Sequence, residues 1–475
     1  MSGLLDQHGR PVKTSSAAVQ PYFRGTHRGR FRGPMTNTVT DSKNTLNSYS
    51  RQTLLGYART IFENFGEVKG AISDLTNYAV GHGIRPQSLA GDVAEQYEQY
   101  FAEWAKLADL SGQRSFWQLQ RLASLRMDID GDLGFNLVTG AGDWPFLEAI
   151  ESHRISSPKK AENVHDGVAY TPRTGKPIAY FVQSGAKHKK IPARNFLLVY
   201  DPDRANQYRG KTSLAHAILD IWDAAEILDY EKIGIKAREA IGFIVTTQGG
   251  GDGDVNALIE DDYKAATTGD LDWQTVKPGW VPRFGPGEGI NDLASNRPSP
   301  TFNGFLELLM RKTAVGLNLP FEFVWDPTNA GGATQRAVLA KAQRTFSSRA
   351  NLLDERFNSR VWAWVIAKAI KRGDVPPSND WWRVKWQHPK KITVDVGREA
   401  QQAREDIKLG LKTLAEDASE RGLDWLDLRQ QTENEARDLI TRASAVSRDT
   451  GVSVDTALSL LSQRSANPPV TTVPA

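Results

Sequence analysis

Residues Asn296–Phe346 read NRPSPTFNGFLELLMRKTAVGLNLPFEFVWDPTNAGGATQRAVLAKAQRTF. The apolar spacing predicts a helix from about Thr301 to Leu319, which Pro320 ends because proline cannot continue a helical ladder. A short loop, Phe321–Gly332, follows. Its Gly331 and Gly332 permit mobility and close approach of another chain. The helical pattern then resumes to about Lys371, with Phe346, Leu353, Phe357, Val361 and Trp364 recurring at steps of three, four or seven. At 1.5 Å per residue such a helix is on the order of 60 Å long, the length of a strut or of an element that crosses a large assembly. From Pro327 to Leu353 the chain carries Arg336, Lys341, Arg344 and Arg349 and no acid. These bases spread over a wide arc, so they do not form one groove-reading face. Contact with DNA and pairing with acids of a neighbouring chain both fit them.

Upstream of this stretch, a helix is expected from Ser213 to about Ala240, with Leu214, Ile218, Ile221, Trp222, Ala225 and Leu228 on one face. Asp220, Asp223, Glu226 and Glu231 fall mostly on the other. Acids toward the N-terminus and Lys232, Lys236 and Arg238 toward the C-terminus also suit the helix dipole. Between the two helices lies a turn-rich segment, opened by Gly249–Asp254 and punctuated by Pro278–Gly279 and Gly285–Gly289. Residues 115–200 read as an α+β unit: a helix from Ser115 to about Met127, then strands at Gly134–Thr139, Gly167–Thr171, Ile178–Gln183 and Asn195–Tyr200. Residues 51–110 read as helical, broken by Gly81, Gly83 and Pro86. Downstream, WWRVKWQ (381–387) is strand-like. Two helices are expected at about Val396–Ser419 and Trp425–Ala445, with Gly422 as a stop, Asp424 as an N-cap and a flexible tail after them. The chain is therefore of the α+β class and mainly helical.

Residues 1–50 read as a basic arm. Arg24, Arg28, Arg30 and Arg32 interleave with Tyr22, Phe23 and Phe31, as in segments that stack on and neutralise nucleic acid. A basic tail that orders against neighbouring chains is the other reading. Across the whole sequence, 59 Lys and Arg face 56 Asp and Glu. That balance is too even for a protein that grips nucleic acid over its whole surface, so any DNA contact is local. There is no cysteine, which excludes disulfides, thiol catalysis and thiolate metal sites. No run of about 18 apolar residues is present to span a membrane, and MSGLLDQHGR lacks the apolar core of a signal peptide.

RGKTS (Arg209–Ser213) follows an apolar strand and opens a helix, which is where a P-loop sits. A P-loop needs an earlier glycine so that its backbone can curl round phosphate, and that position is Ala205. A helix cap at Thr212 or Ser213 is the simpler reading. Asp128, Asp130 and Asp132 resemble a calcium loop, but Leu133 and Thr139 occupy the positions where an EF-hand needs Gly and Glu. No H-E-x-x-H or G-x-S-x-G is present. No catalytic residue, metal site or cofactor is expected.

Several of these pieces, taken in order, resemble the portal proteins of tailed bacteriophages, most closely the lambda-type family. They are PGW…FGPGEG (Pro278–Gly289), the Asn296–Phe346 stretch, QYRGKTSLAHAI upstream and WQHPKKITVDVGREAQQAREDIKLGLKTLAEDASERGLDW downstream. Val396 and Arg398 stand where that family usually has Pro and Lys. The resemblance runs over about Phe116–Trp425 and implies a portal-type fold in a closed ring of about twelve subunits at one capsid vertex of the virion. It implies a wing at 51–212, stem helices at 213–245 and 301–319, and a clip at 246–300. A tunnel loop at 320–333 would include Asp326, Thr328, Asn329, Gly331 and Gly332. A long wing helix and strand at 334–395 and crown-side helices at 396–446 would follow, with a flexible tail at 447–475. Double-stranded DNA would pass through, past the acidic stem face Asp220, Asp223 and Glu226. Implied partners are the terminase large subunit, head-completion or adaptor proteins, and major capsid and scaffold proteins, with no membrane. Two competing readings remain: a P-loop-like packaging ATPase through Lys211, and a general nucleic-acid-binding scaffold through the basic arm.

Overall fold

A computed structural model describes residues 39–159, 161–240, 244–247, 288–291, 302–324, 332–392, 396–423 and 425–463. The basic arm (Arg24, Arg28, Arg30, Arg32), most of the 246–300 segment, the loop residues Asp326, Thr328, Asn329 and Gly331, and the last twelve residues lie outside these. Among the described residues no helix is long and apolar enough to cross a membrane.

The first described elements are a short helix α1 (Ser42–Thr45) and then α2 (Ser48–Asn64), capped by the Asn47 side chain on Ser50 N–H. Ordered structure thus starts before residue 51, and Ser42 is buried where its hydroxyl donates to Asn206 O. Helices α3 (Gly66–Val80), α4 (Ala94–Lys106) and α5 (Phe116–Ile129) follow. Ser115 and Gln118 form a reciprocal capping box that fixes where α5 begins. Strand β1 (Arg85–Ser88) pairs with the distant β11 (Val384–Gln387), so the strand-like WWRVKWQ run closes back on the N-terminal helices.

Two antiparallel sheets follow α5. The first has the order β3-β2-β8, from β2 (Asp132–Thr139), β3 (Pro145–Glu151) and β8 (Phe196–Tyr200). The second has the order β4-β5-β6-β7, from β4 (Val164–His165), β5 (Val168–Tyr170), β6 (Pro177–Ser184) and β7 (Lys187–Pro192). Strands β3, β4 and β7 were not expected. Strand β7, KHKKIP, buries one residue in six, so no alternation marks it. A small core of Ile155, Tyr180, Val182, Ile191 and Phe196 joins the sheets.

Helix α6 (Ile218–Ala240) starts five residues later than expected, because 213–217 form turns. Leu214, Ile218 and Ile221 are buried as the pattern predicts, but Trp222 is 53% exposed. Strands β9 (Ile244–Thr247) and β10 (Glu288–Asn291) pair antiparallel. They lead through α7 (Phe302–Gly316), which packs on α6, and the single turn α8 (Phe321–Val324) to α9 (Gly332–Leu353). Helix α9 runs through a π turn, Asp354–Asn358, into α10 (Ser359–Arg372). Gly373, at φ 80°, ends the run.

The extra residue in the π turn rotates everything after it. Trp362 is therefore fully buried, while the expected Trp364 is half-buried against the same core. It lies against Phe101, 5.1 Å between ring centroids, in an aromatic cluster with Trp104, Phe116, Phe135 and Phe357. The C-terminal part is more finely divided than expected. The predicted 396–419 helix breaks into α11 (Val396–Lys408) and α12 (Leu414–Glu420) around Gly410, at φ 71°. Helix α13 (Trp425–Thr450) is followed by α14 (Val454–Gln463), which packs back on it and buries Ala457, so 447–463 is helical rather than a flexible tail.

Candidate functional site

The end of α5 and the start of β2 place Asp128, Asp130 and Asp132 in alternation, and each takes a different arginine from a distant part of the chain. Arg349 of α9 donates to Asp128 at 2.7 Å. Arg59 of α2 makes a bidentate pair with Asp130 at 2.8 and 2.7 Å. Arg209 makes a bidentate pair with Asp132 at 2.7 and 2.9 Å. All three carboxylates are buried. The motif that resembled a calcium loop thus ties α2, the RGKTS segment and the long helix to one point. Among the described residues no group of three or more acids or histidines is arranged to hold a metal ion.

Arg209 is fully buried, and its guanidinium N–H groups meet Asp132, Ile155 O, Asp166 O and Ser152. A second buried arginine, Arg51 of α2, pairs with Asp166 and donates to Ser152 Oγ at 2.8 Å. Ser152 Oγ donates its own hydrogen bond to Asp132 Oδ1 at 2.6 Å, so the cluster is closed. Burial alone would push the Asp132 carboxyl up. The Arg209 charge and hydrogen bonds, with help from Arg51 and Ser152, outweigh burial and hold it below its usual value. Asp166 follows the same balance, with burial opposed by Arg209 and Arg51. Burial in turn would lower Arg209, but Asp132 and Asp166 raise it.

The rest of the RGKTS segment is equally committed. Gly210 lies so close to Gly131 that a Cβ there would enter the Gly131 carbonyl, while its N–H donates to Asp132 at 3.0 Å. Gln207 holds the approach by accepting from Asp203 N–H and donating to Arg209 O. Thr212 and Ser213 hydroxyls donate to Asp128 O and Oδ1, and Thr212 Oγ1 accepts from Leu214 N–H within the 213–217 turns, so neither residue caps α6, which begins only at Ile218. Lys211 pairs with Asp203 at 2.5 Å. Apart from Lys211, which is exposed, the segment is a buried brace and does not curl into a phosphate cradle.

The expected contact residues divide. Arg349 is drawn inward to Asp128 instead of facing outward. Lys341, Arg344 and Arg336 are exposed on α9. Lys341 and Arg344 line a cleft of about 850 Å³ together with Lys211, His216 and the C-terminal end of α7. On α6, Asp220 is taken by Lys312 of α7 at 3.0 Å, and Glu226 accepts the Tyr230 hydroxyl at 3.0 Å. Asp223 is exposed and has no ionic partner among the described residues. The α6–α7 pair also presents Leu219, Trp222, Tyr230 and Ile233, with Phe305, Leu308 and Val315, to solvent. Sequence reasoning missed Arg51, Arg59, Ser152 and Asp166. The cluster joins residues more than a hundred positions apart, and no local period marks it.

The family model for phage portal proteins of the lambda family matches residues 29–349. The chain belongs to that family. The match takes in the whole brace and the helix–break–helix order up to Arg349. The downstream run from Trp386 to Trp425 lies beyond it. Solved structures similar to this portal protein include the neck of a native gene transfer agent particle computed with C12 symmetry, at 13% identity and a TM-score of 0.49, covering 79% of this chain and 94% of that one. The virion of a native gene transfer agent particle gives 13% and 0.47, covering 78% and 93%. An HK97 family phage portal protein from Corynebacterium diphtheriae gives 13% and 0.32, covering 66% and 91%. No curated protein matches the chain.

Proposed function

We propose that this portal protein is the repeating unit of a closed ring of about twelve copies at one vertex of the virion capsid, through which double-stranded DNA enters and later leaves. The observation that carries the reading is the family match over 29–349. The apolar side chains that α6 and α7 leave exposed among the described residues support it, because a ring needs contacts on both sides of each copy. In this reading α6 and α7 build the stem wall, 246–300 forms the clip, and Phe321–Gly332 is the tunnel loop. The clip meets first the terminase large subunit and then head-completion proteins, and the outer parts meet capsid and scaffold proteins. The protein's part is structural, with the motor activity in its partner. Packaging ATPase activity in this chain is disfavoured by the brace, in which Arg209, Gly210 and Lys211 are already committed.

Electron microscopy of the purified chain tests this directly. Rings with a central hole are expected. Monodisperse monomer under every assembly condition would count against the ring. In the same preparations Lys211→Ala should change no ATP hydrolysis, since there should be none to lose.

A further inference from the structure

The cleft between α9, the 211–216 turn and the end of α7 carries two bases that have no acceptor among the described residues. Lys341 and Arg344 are exposed on its wall, and neither has an ionic partner among the described residues. Arg349 reaches Asp128 through Nη2, but its Nη1 is buried with no hydrogen-bond partner. Lys211 is neutralised by Asp203, and Asp201 also lines the cleft, but the bases of the lining outnumber its acids. A cleft of about 850 Å³ with this lining has room for side chains of another polypeptide and calls for carboxylates. The same chain carries the complement. On α6, Asp223 is exposed and unpaired among the described residues, and one turn on Glu226 is exposed, held only by its own Tyr230.

We propose that the cleft is a socket for a second copy of this chain, in which Lys341 and Arg344 of one copy pair with Asp223 and Glu226 of the next. The inference rests on the ring reading and goes beyond it by naming the charged contact that sets register between neighbours. In a closed ring every copy offers both halves, so the pairing repeats without a special terminal subunit. It also explains why two bases on a helix without acids can stay unpaired within one chain. Charge complementarity of this kind fixes orientation and rejects wrong docking more than it adds affinity.

The test is a charge swap in the full chain. Lys341→Glu with Arg344→Glu should raise the subunit concentration needed for half-maximal ring formation by about tenfold or more, the equivalent of 1.4 kcal/mol per tenfold. Adding Asp223→Lys and Glu226→Lys to that variant should restore assembly. The absence of cysteine permits a second readout: Arg344→Cys with Asp223→Cys, treated with a short dimaleimide, should give a ladder of covalent oligomers, and either single variant should not. If wild-type rings form, reversal leaves them intact and no ladder appears, the socket is wrong while the ring stands. If the swap fails to rescue a variant that has lost its rings, the pairing is likewise wrong. Wild-type chain that never forms rings overturns the ring reading itself.

Discussion

At the residue scale, the alternating aspartates decide how the molecule is tied together. A buried charge deprived of its partner costs far more than the pair contributes, so Arg209→Leu should destabilise the chain by on the order of 3–5 kcal/mol. Chemical unfolding monitored by tryptophan fluorescence would register this, and a loss within experimental error would show that Asp132 finds relief elsewhere. The same cluster predicts a pH dependence. Asp132 and Asp166 are held below the ordinary carboxyl value of 3.8 in the folded chain. Their contribution is therefore fully present above the unfolded value and is lost as pH falls through the folded one. Asp354 runs the other way: burial raises it against the opposing pull of His388, so its contribution is present at low pH and lost as pH rises through its folded value. Among the described residues burial also raises Asp74, but depressed carboxyls outnumber raised ones, since Asp143, Glu416, Asp417 and Glu420 are lowered too, and a net fall in the urea midpoint is expected between about pH 5 and pH 2. A flat midpoint over that range would argue against the cluster as the acid-sensitive brace.

At the element scale, the π turn Asp354–Asn358 is the informative irregularity. Asn358 is buried, donating to Asp354 Oδ1 at 2.8 Å and accepting from Gln120 at 3.0 Å, while Gln120 also holds the backbone of Ile84. His388 closes the far side of Asp354 at 2.6 Å. The polar chain anchors the long helix to α5 and to the backbone just before β1. Asn358→Ala should cost about 1–3 kcal/mol by stranding buried polar groups, and hydrogen exchange should show faster opening across 354–358 than across α9. Equal protection in both would contradict the anchor. This element also shows what was legible beforehand. Helix, break and long helix were readable because apolar period, Pro320 and Gly332 are local signals. The phase slip was not, because Asp354 and Asn358 look like ordinary surface residues until Gln120 and His388 meet them. Likewise Thr212 or Ser213 was expected to cap a helix that begins only at Ile218, and the burial of Arg209 among Asp132, Asp166 and Ser152 depends on contacts that no spacing encodes.

At the scale of the whole molecule, the described chain leaves a surface that a lone copy does not need. Leu219 is 78% and Trp222 53% exposed on α6, facing solvent beside Phe305 and Leu308 of α7. Substitution at such a surface position normally shifts the stability of an isolated chain by no more than about 0.5 kcal/mol. Burying the same side chain against a neighbour contributes roughly 1.5–3 kcal/mol. The two quantities separate the roles of Trp222. Trp222→Ser should melt like wild type when dissociated, yet populate fewer rings at the same subunit concentration, and the deficit should shrink as concentration rises. Because each copy in a ring repeats the contact, a modest loss per interface accumulates round the circle and makes ring counts in electron micrographs a sensitive readout. Raising salt should leave this defect in place, since it is apolar, while weakening the charged socket at Lys341 and Arg344 through screening. A variant that melts early as a monomer but keeps its rings would place Trp222 in the core of the single chain and remove α6 from the contact between copies.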